Sequence, residues 1–187
     1  MSRLGTALVA TVALLSVGAC TGEEPADGDP SPPPSVSSTP SATPTATPPP
    51  LPPEAGEHSA DGAAAFVEYY YSLINYAAVT GDVAPLDAAS EKSCRACARL
   101  IARYSNLYAA GGHSEDPGWT PEITSSQLTK GDFYVTVDVK TASYLYKPTA
   151  EAPPTRMKAG DYQDLFRLDW HGTRWTVDLF MEQEPPA

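Results

Sequence analysis

Cys94 and Cys97 bracket Arg95 and Ala96, and this Cys-x-x-Cys spacing is the part of the sequence best suited to chemistry. It admits three uses. A thiol-disulfide exchange site would draw on a helix N-terminus with Lys92 and Arg95 nearby, which together lower a thiol pKa. A zinc site would need two more ligands, and His58, His113 and His171 fall in a linker, a glycine-rich loop and a turn. A structural disulfide needs only that both residues lie in one helical turn, where positions three apart are neighbours within bridging range. Exchange motifs of the thioredoxin type follow a strand in a βαβ unit, and the segment before Cys94 reads as helix and loop. The context favours the disulfide, with exchange as the alternative and metal the least supported use. No cofactor or metal is expected.

Acid–base chemistry has thinner material. The strand acids Asp138, Asp169 and Asp178 alternate with apolar residues, which directs them to solvent. Gly-x-Ser-x-Gly, phosphate-loop and His-Glu-x-x-His motifs are absent from the sequence. Should a pocket exist, Tyr69, Tyr104 and Asp138 are its best candidate lining groups, and the balance leans away from an enzyme. The net charge of -11 divides into +1 from Arg3, -6 before His58 and -6 after it. With no cluster of Lys and Arg interleaved with aromatics, nucleic acid is not an expected partner.

The third cysteine, Cys20, closes an apolar run. Arg3 supplies a positive charge, Leu4 to Val17 are apolar apart from Gly, Ser and Thr, and Leu15-Ser16-Val17-Gly18-Ala19 lead into Cys20. The run reads as an export signal and is too short for a spanning helix. Residues 21–57 hold 12 of the chain's 20 prolines, with Ser, Thr and six acids, and only Val36 and Leu51 as sizeable apolar groups. Such a segment cannot build a core and is predicted to be an extended, solvated spacer. The expected organisation is a signal over 1–19, a tether over 20–57 and a folded domain over 58–187.

Within the domain, Phe66, Tyr70, Leu73, Ile74 and Ala77 recur at helical spacing over Asp61 to Gly81, with Asp61 as cap and Gly81 as stop. The tyrosine run 69–71 cannot share one helix face. Val83 to Ala89 predicts a short helix. Ser93 to Ala110 predicts a long one, capped by Ser93, with Cys97, Leu100, Ile101, Tyr104, Leu107 and Tyr108 as its stripe. Beyond Gly111-Gly112 the period changes to two. Trp119 to Leu128, Phe133 to Tyr146, Asp161 to Trp170 and Arg174 to Glu182 read as strands, and Pro148 to Gly160 as a surface loop. Trp175, Val177, Leu179 and Met181 are expected on one face of the last strand.

The phrase ending in Cys20 resembles the lipobox of bacterial lipoproteins. The resemblance implies cleavage before Cys20, acylation of its thiol and amino group by chains such as palmitate, and a place on the outer face of the membrane; two or more chains anchor far better than one. The helices followed by about four antiparallel strands resemble the cone-shaped superfamily of nuclear transport factor two, ketosteroid isomerase and the polyketide cyclases. This implies an α+β fold with N-terminal helices on one face of a curved antiparallel sheet. Closer still, the phrases Phe66-Val67-Glu68-Tyr69-Tyr70, Asn75-Tyr76-Ala77, Thr80-Gly81-Asp82 and Ser93-Cys94-Arg95-Ala96-Cys97 resemble a family of actinobacterial lipoproteins of unknown function. Cone folds include enzymes and binding modules. The expected function is a lipid-anchored binding or accessory module that contacts a cell-envelope protein or small ligand; the alternatives are a pocket enzyme and a thiol-disulfide exchanger.

Overall fold

A computed structural model describes residues 46–183, so the expected export signal, Cys20 and the predicted spacer up to residue 45 lie outside the described residues. The first long helix, α1 (Ala60–Thr80), starts one residue before the expected Asp61, because Ser59 has extended backbone and its Oγ accepts from the Gly62 N–H at 3.0 Å. Gly81 ends it with φ 75°, a conformation open to glycine, and donates its N–H to the Ala77 carbonyl. Phe66, Tyr70, Leu73, Ile74 and Ala77 are all buried, and Val67, Tyr71 and Ala78 widen the stripe. Ahead of α1, a single 3-10 turn over Pro53–Gly56 buries Ala55, and the Glu57 carbonyl accepts from Trp175 Nε1 at 3.0 Å. Packed structure thus reaches back before His58.

Helix α2 (Ala84–Ala88) carries Pro85 in its first turn, where no amide donor is lost. Helix α3 (Arg95–Ala109) is capped by Cys94, not by Ser93. The Cys94 Sγ accepts from the Cys97 N–H at 3.2 Å, while the Ser93 hydroxyl donates to Asp178 Oδ1 at 2.9 Å. Cys97, Tyr104 and Leu107 form the buried stripe of α3.

Four antiparallel strands follow in the spatial order β2-β3-β6-β7: β2 (Thr120–Thr129), β3 (Asp132–Thr141), β6 (Gly160–Trp170) and β7 (Trp175–Gln183). With the helices on one side, this is the expected α+β architecture. Lys130 and Gly131, both at positive φ, make the tight β2–β3 turn whose twist suits a hairpin. Phe133, Val135, Val137 and Val139 of β3 are buried toward the core, and Asp138 and Lys140 are exposed on the other face.

Two expectations fail on parity. The strand expected from Phe133 to Tyr146 is broken, since the buried positions run odd through Thr141 and then shift to Tyr144. At the break the Ala142 N–H turns to the Pro117 carbonyl, and the chain enters a second antiparallel sheet, β1 (His113–Ser114), β4 (Tyr144–Lys147) and β5 (Thr155–Met157), in the order β1-β4-β5. The expected loop 148–160 therefore contains β5. In β7, Leu179 pairs with Arg167 and Val177 with Leu168, so Asp178 is an extra residue that bulges the strand. Past the bulge the inward side passes to Phe180, which stacks on Phe166 with ring centroids 4.9 Å apart. Met181 is 46 % exposed, contrary to its expected inward place.

Cys94 and Cys97 are disulfide-bonded and both buried. Closing so short a loop stabilises by only ~2 kcal/mol through the unfolded chain. A Cys94→Ser, Cys97→Ser variant should lose about that much in urea unfolding and keep its far-ultraviolet circular dichroism; collapse of the helical signal would show that the bridge instead holds α3 in place.

Candidate functional site

The inner face of β6 carries Tyr162, Asp164, Phe166 and Leu168, so the period of two sets an acid into an apolar wall. Asp164 is 2 % exposed. The Tyr71 hydroxyl, projecting from α1, donates to Asp164 Oδ2, while Oδ1 is buried with no partner. Glu182 faces Asp164 directly across the β6–β7 ladder, a register created by the bulge at Asp178. Burial pushes the Asp164 carboxyl up to about 6; the Tyr71 hydrogen bond works against this and the Glu182 charge adds to it. Burial, followed by the adjacent Asp164 charge, drives the Tyr71 phenol far above its ordinary range.

Trp119 lies between this pair and the surface. Asn75 of α1 clamps its backbone, donating to the Trp119 carbonyl at 3.0 Å and accepting from its N–H at 2.9 Å. Its ring sits 6.4 Å from Tyr71 and 5.6 Å from Tyr162. The indole Nε1 is buried without a partner of good geometry, though it lies close enough to Tyr104 to favour that phenolate. In front of Trp119 is a cavity of about 180 Å³, with Arg103, Tyr144, Lys158, Tyr162 and Glu182 around it. That is below the roughly 300 Å³ at which small-molecule sites begin. Aromatic rings pack the interior around it: Tyr70 and Tyr71 meet Phe166 edge-on at 5.8 and 5.7 Å, and Trp175 packs on Phe133 and Trp170 at 4.9 and 4.7 Å. Asp164 can therefore hold its proton to about pH 6, and it is set back from the surface.

A larger concavity, about 490 Å³, lies outside, between α3 and the end of β7. Arg99, Leu100 and Arg103 line one side, and Phe180, Met181 and Glu182 the other. It meets the smaller cavity at Arg103 and Glu182.

The candidate lining residues are not brought together. Tyr69 is half-buried, its ring 6.1 Å from Phe66. Tyr104 is buried on α3, and burial raises its phenol to about 12 despite the opposing charge of Arg103. Asp138 is exposed on the opposite face of the sheet, accepts from Gln163 Nε2 at 2.8 Å and borders a depression of about 230 Å³ with Lys140 and Asp161. Asp178 is held by Arg167 Nε at 2.7 Å. The acid that is buried, Asp164, stands two residues before Phe166, and continuing the Phe166–Leu168–Trp170 alternation backward would have found it.

Two further groups bear on chemistry. Both sulfurs of the Cys94–Cys97 bridge are buried, away from an attacking thiolate. His171, Glu91 and Thr176 form a polar cluster, with Thr176 Oγ1 2.6 Å from Glu91 Oε1. The same His171 Nε2 faces both partners and Thr176 is buried, so the cluster is not a nucleophile–base relay. No group of three or more His, Cys, Asp or Glu side chains is placed to hold a metal ion among the described residues.

The chain belongs to the family of unknown function DUF6318, which matches over residues 36–180. No curated protein matches its sequence. Among solved structures, the intermembrane space region of the chloroplast protein ARC6 is similar, with a TM-score of 0.55 at 11 % identity, covering 67 % of this chain and 97 % of that one. At that identity the likeness is one of fold.

Because the Asp164 carboxyl is raised in the folded state, the folded chain keeps its proton to about pH 6 while the unfolded chain releases it near the ordinary carboxylate value. Wild-type stability should therefore fall as pH rises between about 4 and 6 relative to Asp164→Asn, whose amide oxygen still accepts from Tyr71. The variant's advantage should be near zero at pH 4 and on the order of 2 kcal/mol at pH 7.5. Denaturant titrations of both proteins across that range check this; a pH-independent difference would refute an uncompensated buried carboxyl.

Proposed function

We propose that this member of a family of unknown function is a lipid-anchored, extracytoplasmic binding or accessory module. It is tethered through Cys20 and the acidic, proline-rich segment, and engages its partner on the outer groove between α3 and β7. The observation that carries the binding role is the filled interior: Phe166, Phe180, Trp119 and Trp175 occupy the space an enzyme of this shape would keep for substrate, and the larger opening faces outward. The lipobox-like run before Cys20 supports the anchor. The order of helices and antiparallel strands supports kinship with the cone-shaped superfamily and, through the phrases around Tyr69 and Cys94, with actinobacterial lipoproteins. Fold likeness to an organelle protein's intermembrane region carries no function across.

A second reading, a small-ligand site at the cavity before Trp119, rests on two buried atoms without partners, Asp164 Oδ1 and Trp119 Nε1. The cavity size favours the first reading.

The anchor is tested by Cys20→Ala, which should move the protein from the membrane to the soluble fraction; retention would refute it. The binding face is tested with a photo-reactive amino acid at Arg99 or, for comparison, at Asp138 on the far side of the sheet. Adducts in intact cells should form from position 99. Adducts from position 138 alone would transfer the site to the sheet face.

A further inference from the structure

We propose that the α3–β7 groove takes an extended acidic polypeptide, added as a strand to the edge of β7 and held by the arginines of α3. This rests on the reading that the outer groove is the binding face, and it names the class of partner.

The backbone of β7 supplies the first part of the argument. It is the last strand of its sheet, and its outward main-chain groups bond another segment at Val177, whose N–H donates to the Ala89 carbonyl and whose carbonyl accepts from the Glu91 N–H. Between Leu179 and Glu182 no main-chain bond joins that edge to another segment among the described residues. The opposite edge, β2, is blunted by Pro121 and by a bulge at Thr124. The stretch Leu179-Phe180-Met181-Glu182 has no proline, glycine or lysine. An open edge of this kind recruits extended chains.

Charge supplies the second part. Arg95, Arg99 and Arg103 stand four residues apart on α3, which puts them on one stripe. All three are exposed, and none makes an ion pair among the described residues. Like charges at this spacing disfavour the helix by a few tenths of a kcal/mol per pair. The stripe persists in a domain whose own balance is -6. An external counter-charge offsets that cost. Glu182, at the end of the groove, leaves it net positive with Arg99 and Arg103.

Spacing joins the two. Cys97 Sγ lies 4.0 Å from the Val177 carbonyl oxygen, and Arg103 shares an opening with Glu182, so α3 runs in the same direction as β7. Arginines four residues apart are separated by ~6 Å along the helix. Alternate residues of an extended strand are ~6.6 Å apart. An acid at every second position would therefore meet successive arginines, and the intervening apolar side chains, on the other face of the added strand, would lie alongside the half-exposed Met181. A lipid headgroup or phosphate polymer would use the charge alone; the unpaired strand edge distinguishes a polypeptide.

The test is a titration of a seven-residue peptide of alternating Val and Glu, capped at both ends, into the isotope-labelled, unlipidated Cys20→Ser chain, followed by amide chemical shifts. Shifts should appear at Leu179 to Glu182 and along Arg95 to Arg103. An Arg99→Glu, Arg103→Glu variant should bind about tenfold more weakly or worse; both positions are exposed, so its melting temperature should match the parent. The Val/Lys peptide should not bind, and methylating alternate backbone nitrogens of the Val/Glu peptide should abolish binding. No shifts at millimolar peptide, undiminished binding of the methylated peptide, or binding of phosphatidylglycerol vesicles in its place would overturn strand addition. If position-99 adducts still form in cells, the groove survives as the binding face; if they too are absent, both readings fall.

Discussion

One extra residue in β7 governs the arrangement of this domain. Without Asp178 as a bulge, the strand would keep Leu179 and Met181 on the side begun by Trp175 and Val177. With it, Phe180 turns inward to stack on Phe166, Glu182 comes opposite Asp164, and Met181 is released to the outer groove. The bulge is tied down on both sides, since Asp178 accepts from Arg167 of the neighbouring strand and from Ser93 just ahead of α3. Filled interior and accessible edge are thus two results of one change in strand parity.

The buried Asp164 is the costly element in an otherwise apolar wall. Its carboxylate has a single donor, Tyr71, and an unfavourable neighbour in Glu182, so the interior holds it in a form that takes up a proton readily. A satisfied core would dispense with such a group. Around it, the Asn75 clamp on Trp119 and the packing of Tyr71 leave little room for movement or entry. The outer groove contrasts on each count: its arginines are exposed, it is open, and it borders a strand edge free to pair. Free energy that the interior holds in polar burial, the exterior holds in unneutralised charge.

Helices on a curved antiparallel sheet serve many purposes, and both the family match and the likeness to the ARC6 region concern the scaffold. Function has to be read from particular residues and not from the scaffold, because loops, edges and exposed side chains vary while the scaffold persists.

The sequence by itself determined the order and type of the long elements, the α+β class, the Gly81 stop and the sites of both helices, because hydrophobic period and capping chemistry are local. It also marked Cys94 and Cys97 as partners, since three residues of helix bring them within bonding range. Tertiary structure decided the rest. The bulge at Asp178 and the break at Ala142 depend on which strand lies alongside, so the register of Glu182 opposite Asp164 and the second sheet could not be reached by counting along one strand. Asp164 was legible from its spacing to Phe166, but its missing partner depends on Tyr71, 93 residues away. The arginine stripe likewise repeats at helical spacing in the sequence; that it lines a groove beside an open edge follows only from the packing of α3 on β7.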